Sequence, residues 1–223
     1  MRKFGKEKLD YYCKNTDFTS FFGFDIRPYL SLVHFDSGEM IVNEGSRPRY
    51  LYYMIQGRVK LLTTHENGKI SLLNYLDAPF FIGEIEMLQK QRMAKGVQAV
   101  APCLGFAVDV SRCEELLLND NTFLRQLIFY FSRRSVQNSE THATSHAWPL
   151  RNRLAWFILK TSSNGIYRQR HTETSEYLGV TYRHLLFVIA EFVEAGRLRK
   201  VGRGYEITDR DYLQQLADIM DNT

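Results

Sequence analysis

Cysteine is scarce in this chain of 223 residues: Cys13, Cys103 and Cys113 are all there are. Three widely spaced thiols with no Cys-x-x-Cys exclude a disulfide framework. They supply neither a zinc ligand set nor the cluster that an iron–sulfur centre needs. Such usage predicts a reducing compartment, the cytoplasm. No two histidines stand one residue apart, so the metal site of a cupin enzyme has no ligands here, and paired carboxylates, a nucleophile elbow and a phosphate loop are missing too. The residues therefore predict no enzyme. Long apolar runs are also lacking. The run from Leu127 to Phe131 falls far short of the roughly 20 residues a membrane helix needs, and the basic start from Met1 to Lys8 leads into no apolar stretch. Neither a signal peptide nor a membrane segment is expected.

What the chain does have is apolar matter, 44% with 13% aromatic, enough to build one or two packed domains. Its formal net charge of +4 is modest but unevenly placed. Residues 150–205 hold ten Lys and Arg against four Asp and Glu, whereas residues 1–149 hold eighteen against sixteen. Such a surplus fits a phosphate-facing surface, and equally a solvated face on an ordinary domain.

The texture changes along the chain. A helical lead-in over residues 1–22 offers Phe18, Phe21 and Phe22 for packing. Residues 30–110 are short β-type runs broken by turn residues. Among them Asn67-Gly68 predicts a hairpin turn with positive φ at both positions. Many short strands at close spacing read as a small antiparallel barrel or jelly roll. A helical stretch then runs from residue 111 to 147. Phe123, Leu124, Leu127, Ile128 and Phe131 recur at intervals of three and four, while residues 137–146 are polar, so this helix can pack on its own domain early and on a second copy later. Trp148-Pro149 ends it, because proline disfavours helical geometry in the residue before it.

Beyond that boundary, residues 150–161 are amphipathic and Asn164-Gly165 stops them. Residues 173–189 then read as two short helices meeting at a glycine turn, with the small Ser175 four places before Gly179. Val180, Leu185 and Val188 supply the buried stripe and Thr181 the N-terminal cap. Tyr182, Arg183, His184 and Phe187 are left to face a major groove, although Phe187 also reads as a packing residue. Residues 197–208 form strand, glycine turn and strand, a wing carrying Arg199, Lys200 and Arg203 as point charges for phosphate. Residues 211–220 read as a terminal helix.

The segments Phe35-Asp36-Ser37-Gly38-Glu39-Met40-Ile41-Val42-Asn43-Glu44-Gly45, Gln56-Gly57-Arg58-Val59-Lys60 and Phe81-Ile82-Gly83-Glu84-Ile85, followed by the long helix and winged helix-turn-helix, resemble the CRP/FNR family of bacterial transcription regulators over about residues 35–207. Residues 81–86 and 176–186 are similar to those of YeiL-type members. The resemblance implies an α+β protein. A lead-in and antiparallel β jelly roll of the cyclic-nucleotide-binding-like kind occupy residues 1–115, a dimerisation helix 116–147 and a winged helix-turn-helix 148–223. It also implies a homodimer, double-stranded operator DNA, RNA polymerase and a small-molecule effector of unknown identity as partners.

The effector pocket that the resemblance implies comprises Gly83, Glu84, Arg92, Asn138 and Ser139. In nucleotide-binding members the Gly-Glu segment starts a helix whose amides hold the phosphate, the Glu takes the ribose hydroxyl, and an Arg on the next strand completes the anion site. Here Glu86 stands where a small residue belongs, Met93 where that Arg belongs, and Asn138-Ser139 where the adenine-contacting Thr-Ser pair belongs. A carboxylate ~4 Å from a phosphate costs on the order of a few kcal/mol, so cAMP is not expected to bind. An N-terminal cysteine cluster is missing, and His34, His65 and His142 stand alone, so no iron–sulfur or haem cofactor is expected. Cys103 and Cys113, flanking one strand-like run, read as core thiols that could also approach each other. The base-reading positions of the family fall on Tyr182, Arg183 and Phe187, implying an operator unlike that of the well-known members. The alternative is a ligand-binding or interaction protein whose winged helix binds a protein partner.

Overall fold

The computed structural model describes residues 1–221, apart from the side chains of residues 140–147 and of residue 221. The chain divides into two compact units, Met1–Arg133 and Arg134–Thr223.

The first unit begins with β1 (Arg2–Lys3), α1 (Lys6–Lys14) and two short 3-10 turns, Asp17–Phe21 and Arg27–Tyr29. Then come β2 (Leu30–Phe35), β3 (Met40–Val42), β4 (Tyr50–Gln56), β5 (Arg58–Thr64), β6 (Ile70–Asp77), β7 (Phe80–Ile82), α2 (Glu84–Leu88), β8 (Gly96–Ala99) and β9 (Cys103–Asp109). All pair antiparallel in two sheets, β1-β2-β9-β4-β7 and β3-β8-β5-β6, the two layers of a jelly roll. Strand β9 is buried throughout because it lies between β2 and β4. The lead-in closes one side of this core. Phe18 stacks between Tyr53 at 4.8 Å and Phe106 at 4.7 Å, and Phe22 stacks on Phe123 at 5.0 Å.

Several details differ from the sequence expectations. The lead-in carries a strand, β1, where only helix is expected. In the β5–β6 turn only Gly68 takes positive φ, while the Asn67 carboxamide accepts from the Lys69 amide at 3.0 Å. The pair with positive φ at both positions is instead Asn164-Gly165, where Ser163 and Ile166 exchange backbone hydrogen bonds. Cys103 and Cys113 do not meet. One opens β9 and the other lies in the helix beyond its end, and burial pushes each thiol up to about 11.

The helical stretch is also broken, into α3 (Val110–Leu118) and α4 (Asn121–Ala147), so the long helix starts at Asn121 rather than near residue 116. Asp120 sits at the break. Its carboxylate accepts from the Thr122 amide at 3.0 Å, in the manner of a helix cap, and from the Gly23 amide at 2.7 Å. The first half of α4 packs on the roll through Phe123, Leu127 and Tyr130, whose hydroxyl accepts from the Phe81 amide at 3.1 Å. Ile128 and Phe129 are left exposed.

The second unit holds α5 (Leu150–Thr161), β10 (Ile166–Tyr167), α6 (His171–Tyr177), α7 (Tyr182–Glu194), β11 (Leu198–Val201), β12 (Gly204–Ile207) and α8 (Arg210–Asp221). The sheet order is β10-β12-β11, so a third strand stands beside the expected hairpin. Leu154, Phe157, Ile158, Leu185, Ile189, Phe192, Leu198 and Leu213 fill the core between the helices and this sheet.

Candidate nucleic-acid interface

The geometry of this site begins at the buried end of α6. Tyr167 on β10 is fully buried, and its hydroxyl lies 2.7 Å from that of Thr174, which also donates to the Arg170 carbonyl at 3.1 Å. Burial pushes the Tyr167 phenol far up. Ser175 is small enough to be buried at the crossing, donating to the Thr172 carbonyl at 3.0 Å. The corner follows. Gly179 takes φ of 63°, and the Val180 amide donates back to the Ser175 carbonyl at 2.9 Å. Arg153 on α5 donates to the Leu178 carbonyl at 2.6 Å, and its burial lowers its pKa.

Thr181 then caps α7, its hydroxyl accepting from the His184 amide at 3.2 Å. Leu185, Val188, Ile189 and Phe192 form the buried face of α7. Thr181, Tyr182, Arg183, His184 and Phe187 are not part of it, and Phe187, which also reads from sequence as a packing residue, is 63% exposed.

The wing is the β11–β12 hairpin. Arg199 and Glu206 face each other across it and form an ion pair, so Arg199 is not the free point charge expected of it. Lys200 and Arg203 are exposed and form no ion pair among the described residues. Three further residues beside the wing are not evident from the sequence. Arg168 and Arg170 lie on the segment between β10 and α6, and the Arg168 side chain lies against Gly204 of the wing. His171 opens α6 with its ring 5.7 Å from Tyr205 and 6.4 Å from Tyr182. Burial, helped by the Lys200 charge, holds its pKa below the usual imidazole value. The signal that could have found them was the polar pattern around Tyr167, but a two-residue strand carries no period to read.

In the jelly roll, Gly83 and Glu84 open α2. Gly83 has φ of 91°, and a Cβ there would lie 2.8 Å from the Tyr50 carbonyl oxygen, so this turn requires glycine. Glu84 is buried, Glu86 half-buried, and Arg92 and Met93 are exposed. Lys95 turns to Thr63, donating at 2.7 Å, and pairs with Glu44 at 3.6 Å. Glu44 also accepts from the Thr64 amide at 2.7 Å. Asn138 and Ser139 are exposed on α4, and the Ser139 hydroxyl donates to the Ser135 carbonyl at 2.9 Å. His34 lies 3.6 Å from Asp36 and His65 2.9 Å from the Ser71 hydroxyl, while the His142 side chain lies outside the described residues.

The profile of the cyclic nucleotide-binding domain family matches residues 32–120. The chain is 41% identical over 197 residues to the regulatory protein YeiL of Escherichia coli O157:H7, a match covering 88% of this chain and 90% of that protein. It is 28% identical over 116 residues to the cAMP-activated global transcriptional regulator CRP of Salmonella typhimurium, covering 50% of this chain and 55% of that one. A solved transcriptional regulator of the CRP/FNR family from Thermus thermophilus superposes with a TM-score of 0.65 at 19% identity, over 84% of this chain and 98% of that one, which shows a shared fold.

Proposed function

Because the chain belongs to the CRP/FNR family of bacterial transcription regulators, we propose that it binds operator DNA sequence-specifically as a homodimer in the cytoplasm. The observation that carries this reading is the outward face of α7, capped by Thr181 and lying in one compact unit with a basic wing. Arg183 has the fork geometry for a guanine edge, and His184 and Tyr182 flank it, suited to a base edge or a phosphate. Lys200 and Arg203 contact phosphate, with Arg168 and Arg170 extending that rim. Arg199 acts through its pair with Glu206, bracing the hairpin rather than meeting DNA alone.

Two copies joined through the exposed apolar residues of α4 present two such helices about one DNA turn apart, to a near-palindromic site. RNA polymerase is then the protein partner through which such a regulator acts. The effector is a small molecule other than the standard cyclic nucleotide. The half-buried Glu86 and the exposed Met93 leave the phosphate position without its cation, and Lys95 is already held by Glu44 and Thr63. Addition of cAMP at millimolar concentration should leave the melting temperature unchanged, since a ligand that favours the native state must raise it.

Selection of bound sequences from a random duplex pool, with and without cell extract, tests DNA binding and effector dependence together. An enriched near-palindrome supports the reading. Binding to protein but to no duplex at low ionic strength would replace it with a protein-interaction role for the winged helix.

A further inference from the structure

The recognition face of α7 has an apolar centre. Successive residues of an α-helix turn by about 100°, so the buried Leu185, Val188, Ile189 and Phe192 fix one side of α7. Arg183 and Phe187 lie opposite that side, about 40° apart around the axis and ~6 Å apart along it. Tyr182, the other exposed aromatic residue of this helix, lies off to the flank with its ring 6.4 Å from His171. Phe187 has no ring or cation partner among the described residues and stands 63% exposed. A phenyl ring beside Arg183 on that outward face suits an apolar feature in the partner. In a major groove that feature is the C5 methyl of thymine.

We propose that Phe187 reads a 5-methylpyrimidine in the major groove, within about two base pairs of the guanine contacted by Arg183, since ~6 Å of helix spans about two steps of 3.4 Å. This rests on the DNA-binding reading above. Phenylalanine offers no donor or acceptor, so discrimination at this position comes from apolar contact with the methyl group and not from hydrogen bonds. Thymine and 5-methylcytosine present the same methyl group, and both chemistries satisfy the contact.

The test uses the full-length protein and the duplex selected from the random pool. Each thymine is replaced singly by deoxyuridine, which removes only the methyl group. One thymine per half-site should lose affinity by about fourfold, the equivalent of ~0.8 kcal/mol for one buried methyl. Cytosine at that position should bind about as weakly as uracil, and 5-methylcytosine should regain the loss. Phe187→Ala should bind the thymine and uracil duplexes alike, Phe187→Leu should keep part of the difference, and Arg183→Ala should keep all of it while binding more weakly. Indifference of the wild type to uracil at every position, or an unchanged uracil penalty in Phe187→Ala, would overturn the assignment. A pool that yields no bound duplex would instead bring down the DNA-binding reading itself, and this one with it.

Discussion

At the scale of the residue, sequence discrimination should turn on Arg183, because it is the one guanidinium on α7. Arg183→Ala should lower affinity for the selected site by roughly 1–3 kcal/mol while leaving binding to random duplex nearly unchanged, as read by competition titration. Equal loss on both would remove it from base reading. For Arg203, at the wing tip, the proposed phosphate contact predicts the opposite pattern. Arg203→Ala should weaken binding to every sequence and flatten the slope of log affinity against log salt by about one unit. Thr181 contributes differently, through the fold. Thr181→Ala should cost about 1 kcal/mol in denaturant unfolding because the His184 amide loses its acceptor. His171 makes stability depend on pH. Its imidazole is held below the usual value in the folded chain, so below about 6.5 the unfolded chain binds more protons than the folded one. The stability that His171 lends is present above that pH and is lost as pH falls through it toward the depressed value. Unfolding curves from about pH 7.5 to about 5.5 should show the wild type losing ground relative to His171→Gln, and parallel curves would contradict the lowered pKa of that imidazole.

Elements differ in how plainly the sequence announces them, and the reason is length. Helix α5 is legible to the residue because its amphipathic period runs over 12 residues between Pro149 and Ser162. The helix-turn-helix is legible because Ser175, Gly179 and Thr181 each meet a local demand: close crossing, positive φ and an N-cap. Strands β1 and β10 are two residues each and have no period to detect. They exist because tertiary neighbours offer them a ladder, β2 for one and β12 for the other. The break between α3 and α4 was hidden for a related reason. Asn119, Asp120 and Asn121 all suit a cap better than a helix interior, and the choice of Asp120 is tied to its second acceptance from Gly23, 97 positions away. At the site, Phe187 carries two readings in the sequence, groove-facing and packing, since an apolar side chain at a helical position ordinarily packs. The full burial of Leu185 and Phe192 on the opposite face leaves it no core to join. Arg168 and His171 are not legible as neighbours of the wing, because only the pairing of β10 with β12 brings their segment to it.

For the molecule as a whole, the formal charge of +4 says less than its placement, and the exposed apolar residues of α4 say more about assembly than either. Ile128 and Phe129 are each 62% exposed on a helix whose other face is taken by the roll. Sedimentation of the wild type should give a dimer. Replacement of both residues by Glu should shift it to monomer and weaken operator binding by more than about tenfold, because two linked half-sites act together. A wild type that sediments as a monomer at micromolar concentration would defeat the paired-helix arrangement. Within each copy, Asp120 ties the aromatic lead-in to the start of that same helix with one carboxylate. Loss of that carboxylate strips an acceptor from the lead-in and from the start of the helix at once, so the two segments share one point of failure.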